Sequence, residues 1–101
     1  MPSVNEMRLS NVSTIRTNFP DAHFWLVRRG SAGSVGRPTR EFYKEHIGIR
    51  VDQTDILLPD YLFYCFVHIH STGQWERLAT GTLSLVNIRV SDVRTIELSP
   101  R

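Results

Sequence analysis

The chain has 101 residues, 41% hydrophobic and 22% charged, which suits one domain around one core and excludes wholesale disorder. No run reaches the roughly 18 apolar residues of a membrane span, because residues 56–69 are broken by Pro59, Asp60 and His68. Cys65 is the single cysteine, so an internal disulfide is excluded and a reducing, cytoplasmic setting is expected.

In chain order, residues 1–22 are rich in Ser, Thr and Asn. They read as a polar N-terminal segment in which Leu9, Val12 and Ile15 carry weak spacing for a short helix. They also lack the apolar core of a signal peptide. Residues 23–99 read as a single domain. His23 to Val27 is aromatic and β-branched, a buried strand signal. Residues 30–38 follow with three glycines and Pro38, which requires a loop. Ile47, Ile49 and Val51 alternate with the period of a strand, and residues 52–55 turn the chain.

Leu58-Pro59-Asp60 opens the clearest helix, since Pro59 suits a first turn and Asp60 complements the helix dipole. Residues 61–69 are apolar on nearly every face, which predicts a central helix flanked on both sides. Gly73 ends it, and Trp75 to Ala79 suits one more turn. Leu83 to Val90 and Thr95 to Leu98 read as strands, with a short helical turn capped by Ser91 between them. The expected class is α+β, a small mixed sheet packed on one central apolar helix.

The net charge of +2 decides nothing alone, but its distribution is uneven. Eleven of the twelve basic residues are arginine, with Lys44 the exception. Six of them (Arg28, Arg29, Arg37, Arg40, Lys44, Arg50) lie between positions 28 and 50 against Glu41 and Glu45, whereas residues 51–76 hold four acidic residues and no Lys or Arg. That asymmetry suits a basic strip facing phosphate or carboxylate.

The residues offer little catalytic chemistry. His68 and His70 lie two apart, and on a helix such positions diverge by about 200°; no further ligand cluster stands at metal-binding spacing, so no metal site is expected. The glycine loop is G-x-x-G-x-x-G and lacks the G-K-[ST] ending of a P-loop, so no nucleotide cofactor is expected. Ser31, Ser34, His23 and Cys65 carry no nucleophile signature. A non-catalytic protein is the expectation.

The loop itself supports a binding reading. Its glycines would let backbone approach a surface, with Arg28, Arg29, Arg37 and Arg40 around it and Lys44 beyond. Ser31, Ser34 and Thr39 supply small hydroxyl donors. Arginine forks match phosphate oxygens and the guanine edge, and hydroxyls are common phosphate anchors. Double-stranded DNA is the expected partner, bound through these eight residues. Four to six neutralised phosphates would give a log K against log salt slope of about −4 to −5.

The ordered motifs over residues 24–98 resemble the second half of a target-recognition domain from the specificity (S) subunits of type I restriction-modification systems. They are Phe24-Trp25-Leu26-Val27-Arg28-Arg29-Gly30-Ser31-Ala32-Gly33, then Leu58-Pro59-Asp60-Tyr61-Leu62-Phe63-Tyr64, then Leu78-Ala79-Thr80-Gly81-Thr82, then residues 87–98 from Asn87-Ile88 to Glu97-Leu98. The resemblance implies DNA contact from the loop after the first strand, residues 28–40, and transfers no catalytic residue. The opening strands of such a domain, and the long helices that join two of them, have no counterpart here. A homodimer would rebuild a larger surface from two half-modules. The alternative is a protein-protein adaptor or inhibitor, encoded by a mobile element, acting on a host defence complex (restriction-modification or CRISPR), with Asp52 to Asp60 as its contact surface.

Overall fold

The computed structural model describes residues 9–81 and 85–96. Its centre is a four-stranded antiparallel sheet formed by β1 (Ser13–Thr17), β2 (Phe24–Leu26), β4 (Pro38–Thr39) and β5 (Ile47–Val51), in the order β1-β5-β2-β4. A smaller antiparallel sheet runs β3-β7-β6, from β3 (Arg29–Gly30), β6 (Thr80–Gly81) and β7 (Val86–Asn87). Three helices complete an α+β fold: α1 (Pro59–Ser71), α2 (Gln74–Leu78) and α3 (Val90–Arg94).

The register sorts the side chains by face. Ile15, Ile49 and Phe24 stand in one row, with Ile47 and Leu26 in the next, and all five are buried. Leu62 and Phe66 of α1 close over this apolar surface. Phe63 meets Phe24 edge-on at 5.5 Å between ring centroids, an arrangement worth about 0.5–1.5 kcal/mol beyond its area. Burying each of Leu62 and Phe66 contributes about 1.5–3 kcal/mol.

The other face of the sheet is covered by short-range packing. Gly48 leaves room for Phe19 and Ala22, whose Cβ atoms would stand 2.8 and 2.9 Å from any Cβ at position 48. Trp25 lies against the same spot, its Nε1 donating to the Phe19 carbonyl at 2.9 Å. Arg16 caps Phe19 at 4.5 Å from the ring centroid.

α1 begins and ends as its sequence requires. Pro59 occupies the first turn with Asp60 beside it. At the other end Gly73 takes a left-handed φ of 75°, and the chain turns directly into α2. The helix, however, is not flanked on both sides. Leu62 and Phe66 are buried, while Tyr61, Tyr64, Val67 and His68 face solvent, so apolar composition all round does not here signify burial all round.

Other expectations are also corrected. Residues 9–17 form no α-helix: a 3-10 turn at Leu9–Asn11 leads into β1. Pairing with β5 and burial of alternate residues Ser13 and Ile15 outweigh weak helical spacing. The cap of α3 is Arg89, not Ser91; its N–H donates to the Asp92 carboxylate at 2.9 Å. Within Leu83 to Val90, Val86–Asn87 is strand and Val90 already belongs to α3. Residues 83 and 84 lie outside the described residues. Thr95 and Ile96 follow α3 without strand pairing, and Glu97 and Leu98 also lie outside the described residues.

Candidate nucleic-acid interface

The glycine loop is a fixed turn rather than a flexible tip. Val27 pairs across it, its N–H donating to Arg37 O at 3.0 Å and its carbonyl accepting from Gly36 N at 2.8 Å. Val35 is buried in the core. Gly36, at φ 82°, passes so close to Trp75 that an added Cβ would lie within 3.0 Å of the indole ring. Trp75 is itself held by stacking on Phe66, with 6.1 Å between ring centroids and 8° between planes. At the tip, the Gly33 carbonyl is 2.8 Å from His70 Nε2 at the end of α1.

This packing uses the loop's small donors internally. The Ser31 hydroxyl donates to Ser34 Oγ at 3.1 Å, and the Ser34 hydroxyl to the Ser31 carbonyl at 3.0 Å. Thr39 lies in β4 opposite Trp25, its Oγ1 accepting from Glu41 N at 3.2 Å. Arg40 leaves the far end of β4 and lies on α1, 3.3 Å from the Asp60 carboxylate and 4.1 Å above the Phe63 ring. Both of its contacts are intramolecular, so this guanidinium stands apart from the loop.

The remaining four candidates come together at one end of the four-stranded sheet. There β2 runs out through Val27-Arg28-Arg29, β4 enters from Arg37, and β5 enters from Lys44-Glu45-His46. Arg28 Nε donates to the Glu45 carbonyl at 2.8 Å, tying the exit of β2 to the entry of β5. The Lys44 carbonyl accepts from Asn18 N at 2.8 Å, which ties in the end of β1. Arg28 is half-buried, whereas Arg29, Arg37 and Lys44 are exposed. Four cationic residues thus lie along the chain segments that enter and leave this end of the sheet.

Aromatic groups flank this end. Tyr43 is exposed and packs against His46 at 5.1 Å between ring centroids. Burial holds the His46 pKa below its ordinary value, with Glu45 opposing the shift. The positive charge at this end is carried by the arginines and the lysine. What the geometry offers chemically is a set of cationic side chains on backbone segments positioned by hydrogen bonds.

Sequence reasoning did not distinguish Arg40, which is held on the helix, from Arg29 and Arg37, which are not. The adjacent Leu58-Pro59-Asp60 helix start was the available signal that a carboxylate stood nearby. Among the described residues, no three His, Cys, Asp or Glu side chains form a group able to hold a metal. Nor is any described helix long and apolar enough to cross a membrane. No protein-family model matches the chain, and neither a curated protein nor a solved structure matches it.

Proposed function

We propose that this protein binds double-stranded DNA through the basic end of its four-stranded sheet, without catalysing a reaction on it. The observation that carries the reading is the placement of Arg29, Arg37 and Lys44, all exposed, on the segments that leave and enter one end of the four-stranded sheet, where Arg28 is bonded to the Glu45 carbonyl. Such a group of cations neutralises backbone phosphates. The resemblance to a target-recognition domain points to the same segment.

The fixed loop narrows the expected contact. Arg40 is engaged by Asp60 and Phe63, and the Ser31 and Ser34 hydroxyls already donate within the turn. About three phosphate contacts remain, for a log K against log salt slope of about −3. Fluorescence anisotropy on a labelled duplex at two or more salt concentrations tests this. A slope near −3 supports the reading; no binding at low salt, or affinity indifferent to salt, overturns it.

A second reading, an adaptor or inhibitor docking on a defence protein complex, is favoured by the segment before α1. There Asp52, Asp55, Ile56 and Leu58 are all exposed, an acidic and apolar combination suited to a protein surface. Co-purification with a methyltransferase, nuclease or CRISPR complex, together with absent DNA affinity, would select it.

A further inference from the structure

Building on the DNA reading, we propose that Tyr43 stacks on an unpaired nucleobase, so that the preferred ligand is DNA whose duplex contains unpaired bases. The chain path presents this ring. β4 and β5 both run antiparallel to β2, so residues 40–46 must cross back along the sheet to reach the start of β5. They cross with two adjacent aromatic side chains uncovered, Phe42 at 46% exposure and Tyr43 at 52%. Phe42 leans edge-on against Trp25, with 5.9 Å between ring centroids.

Tyr43 opens a tight turn. The His46 N–H donates to the Tyr43 carbonyl at 2.9 Å, and the rings of these two residues meet at 5.1 Å between centroids. Two bonds from other strands hold the same turn. Asn18 N–H donates to the Lys44 carbonyl at 2.8 Å, and Arg28 Nε donates to the Glu45 carbonyl at 2.8 Å. Each carbonyl from Tyr43 to Glu45 is therefore bonded, so the turn that carries the exposed ring is fixed in place.

The residue beside that ring identifies the occupant. Lys44 follows directly and is exposed, one of the three cations expected to meet phosphate. A ring and a cation on consecutive residues match the base and phosphate of one nucleotide, the pairing that single-stranded binding surfaces use. Within a paired duplex the base faces are covered by their neighbours, so only an unpaired base can meet the ring. Glu41 and Glu45 lie on the same segment and balance Arg40 and Lys44. Stacking, not added charge, then distinguishes the unpaired base. The preference should be indifferent to salt when two DNAs carry the same number of phosphates.

Competition anisotropy with the full chain compares a fully paired duplex with one of equal length whose three central pairs are mismatched. The mismatched DNA should bind about tenfold tighter, at low and high salt alike. A 2-aminopurine placed among the unpaired bases should lose fluorescence as Tyr43 stacks on it. Tyr43→Ala and Tyr43→Leu should each abolish the preference and the quenching, the second while keeping apolar bulk against His46. Tyr43→Phe, which keeps the ring, should retain both. Far-UV circular dichroism reports whether each variant remains folded. Equal affinity for the two DNAs, or a preference that survives loss of the ring, overturns this proposal and leaves the duplex reading in place. Binding to neither DNA overturns both.

Discussion

Replacing Gly36 by alanine should destabilise the protein far more than the same change at Gly33, three residues earlier. Gly36 has φ 82°, a region that costs an L-residue about 1–2 kcal/mol. Its new methyl would also lie within 3.0 Å of the Trp75 ring. Trp75 is 1% exposed and stacked on Phe66, so it cannot yield without moving the core. Overpacking of that kind costs about 1–3 kcal/mol. The sum is about 2–5 kcal/mol, a large share of the roughly 5–15 kcal/mol that holds a domain together. Gly33 lies in open space at the exposed tip with nothing near its Cβ position, so Gly33→Ala should change stability by no more than about 1 kcal/mol. Urea denaturation followed by tryptophan fluorescence measures both, and the melting temperature of Gly36→Ala should fall by about 8 °C or more. A loss below about 1 kcal/mol for Gly36→Ala, or equal losses at the two positions, would refute the view that this loop is locked onto Trp75.

Other consequences follow from the same geometry. Arg28→Ala removes a charge-assisted bond to the Glu45 carbonyl and should cost about 1.5–3 kcal/mol in chemical denaturation; Arg29→Ala should leave stability within about 0.5 kcal/mol. Arg40→Ala loses an exposed ion pair and a cation–π contact, together about 1 kcal/mol, and should leave DNA affinity unchanged; a larger loss of affinity than of stability would contradict its assignment to the helix. His23 Nδ1 accepts the Val51 N–H at 3.0 Å, which requires the unprotonated ring, and burial followed by Arg50 lowers its pKa below 6.5. The unfolded chain therefore takes up the proton first, so the His23 contribution is complete above pH 6.5 and is lost as pH falls from there through the folded pKa. An NMR titration should place the His23 midpoint below 6.5, and a midpoint above it would contradict this.

The sequence made the α+β class legible because its strongest signals are local. Pro59 and Asp60 start a helix through backbone chemistry, and the Ile47-Ile49-Val51 alternation marks a strand through its period. β1 was less legible: its only apolar inward residue in mid-strand is Ile15, and Ser13 is buried through a hydroxyl bond to the Leu9 carbonyl at 2.6 Å. Neither fact shows in a hydrophobic pattern. The glycines were recognised as a loop, but their cause is distant, since Gly36 is shaped by Trp75, 39 positions later. The basic candidates were found by composition, whereas their division required the register. Only pairing places Arg37 beside Val27 and sends Arg40 to Asp60. The exposed face of α1 was hidden because Val67 and the rings of Tyr61 and Tyr64 continue the hydrophobic run of Leu62 and Phe66, which are buried.

The DNA-binding proposal is tested most directly by a duplex titration of the Arg29→Ala/Arg37→Ala/Lys44→Ala variant beside the unaltered chain. These three side chains are exposed, so the variant should keep its denaturation midpoint. Its salt slope should fall from about −3 towards zero, with affinity lost alike on every duplex sequence. A folded variant that retains the original affinity and slope would contradict the assignment of DNA binding to this end of the sheet.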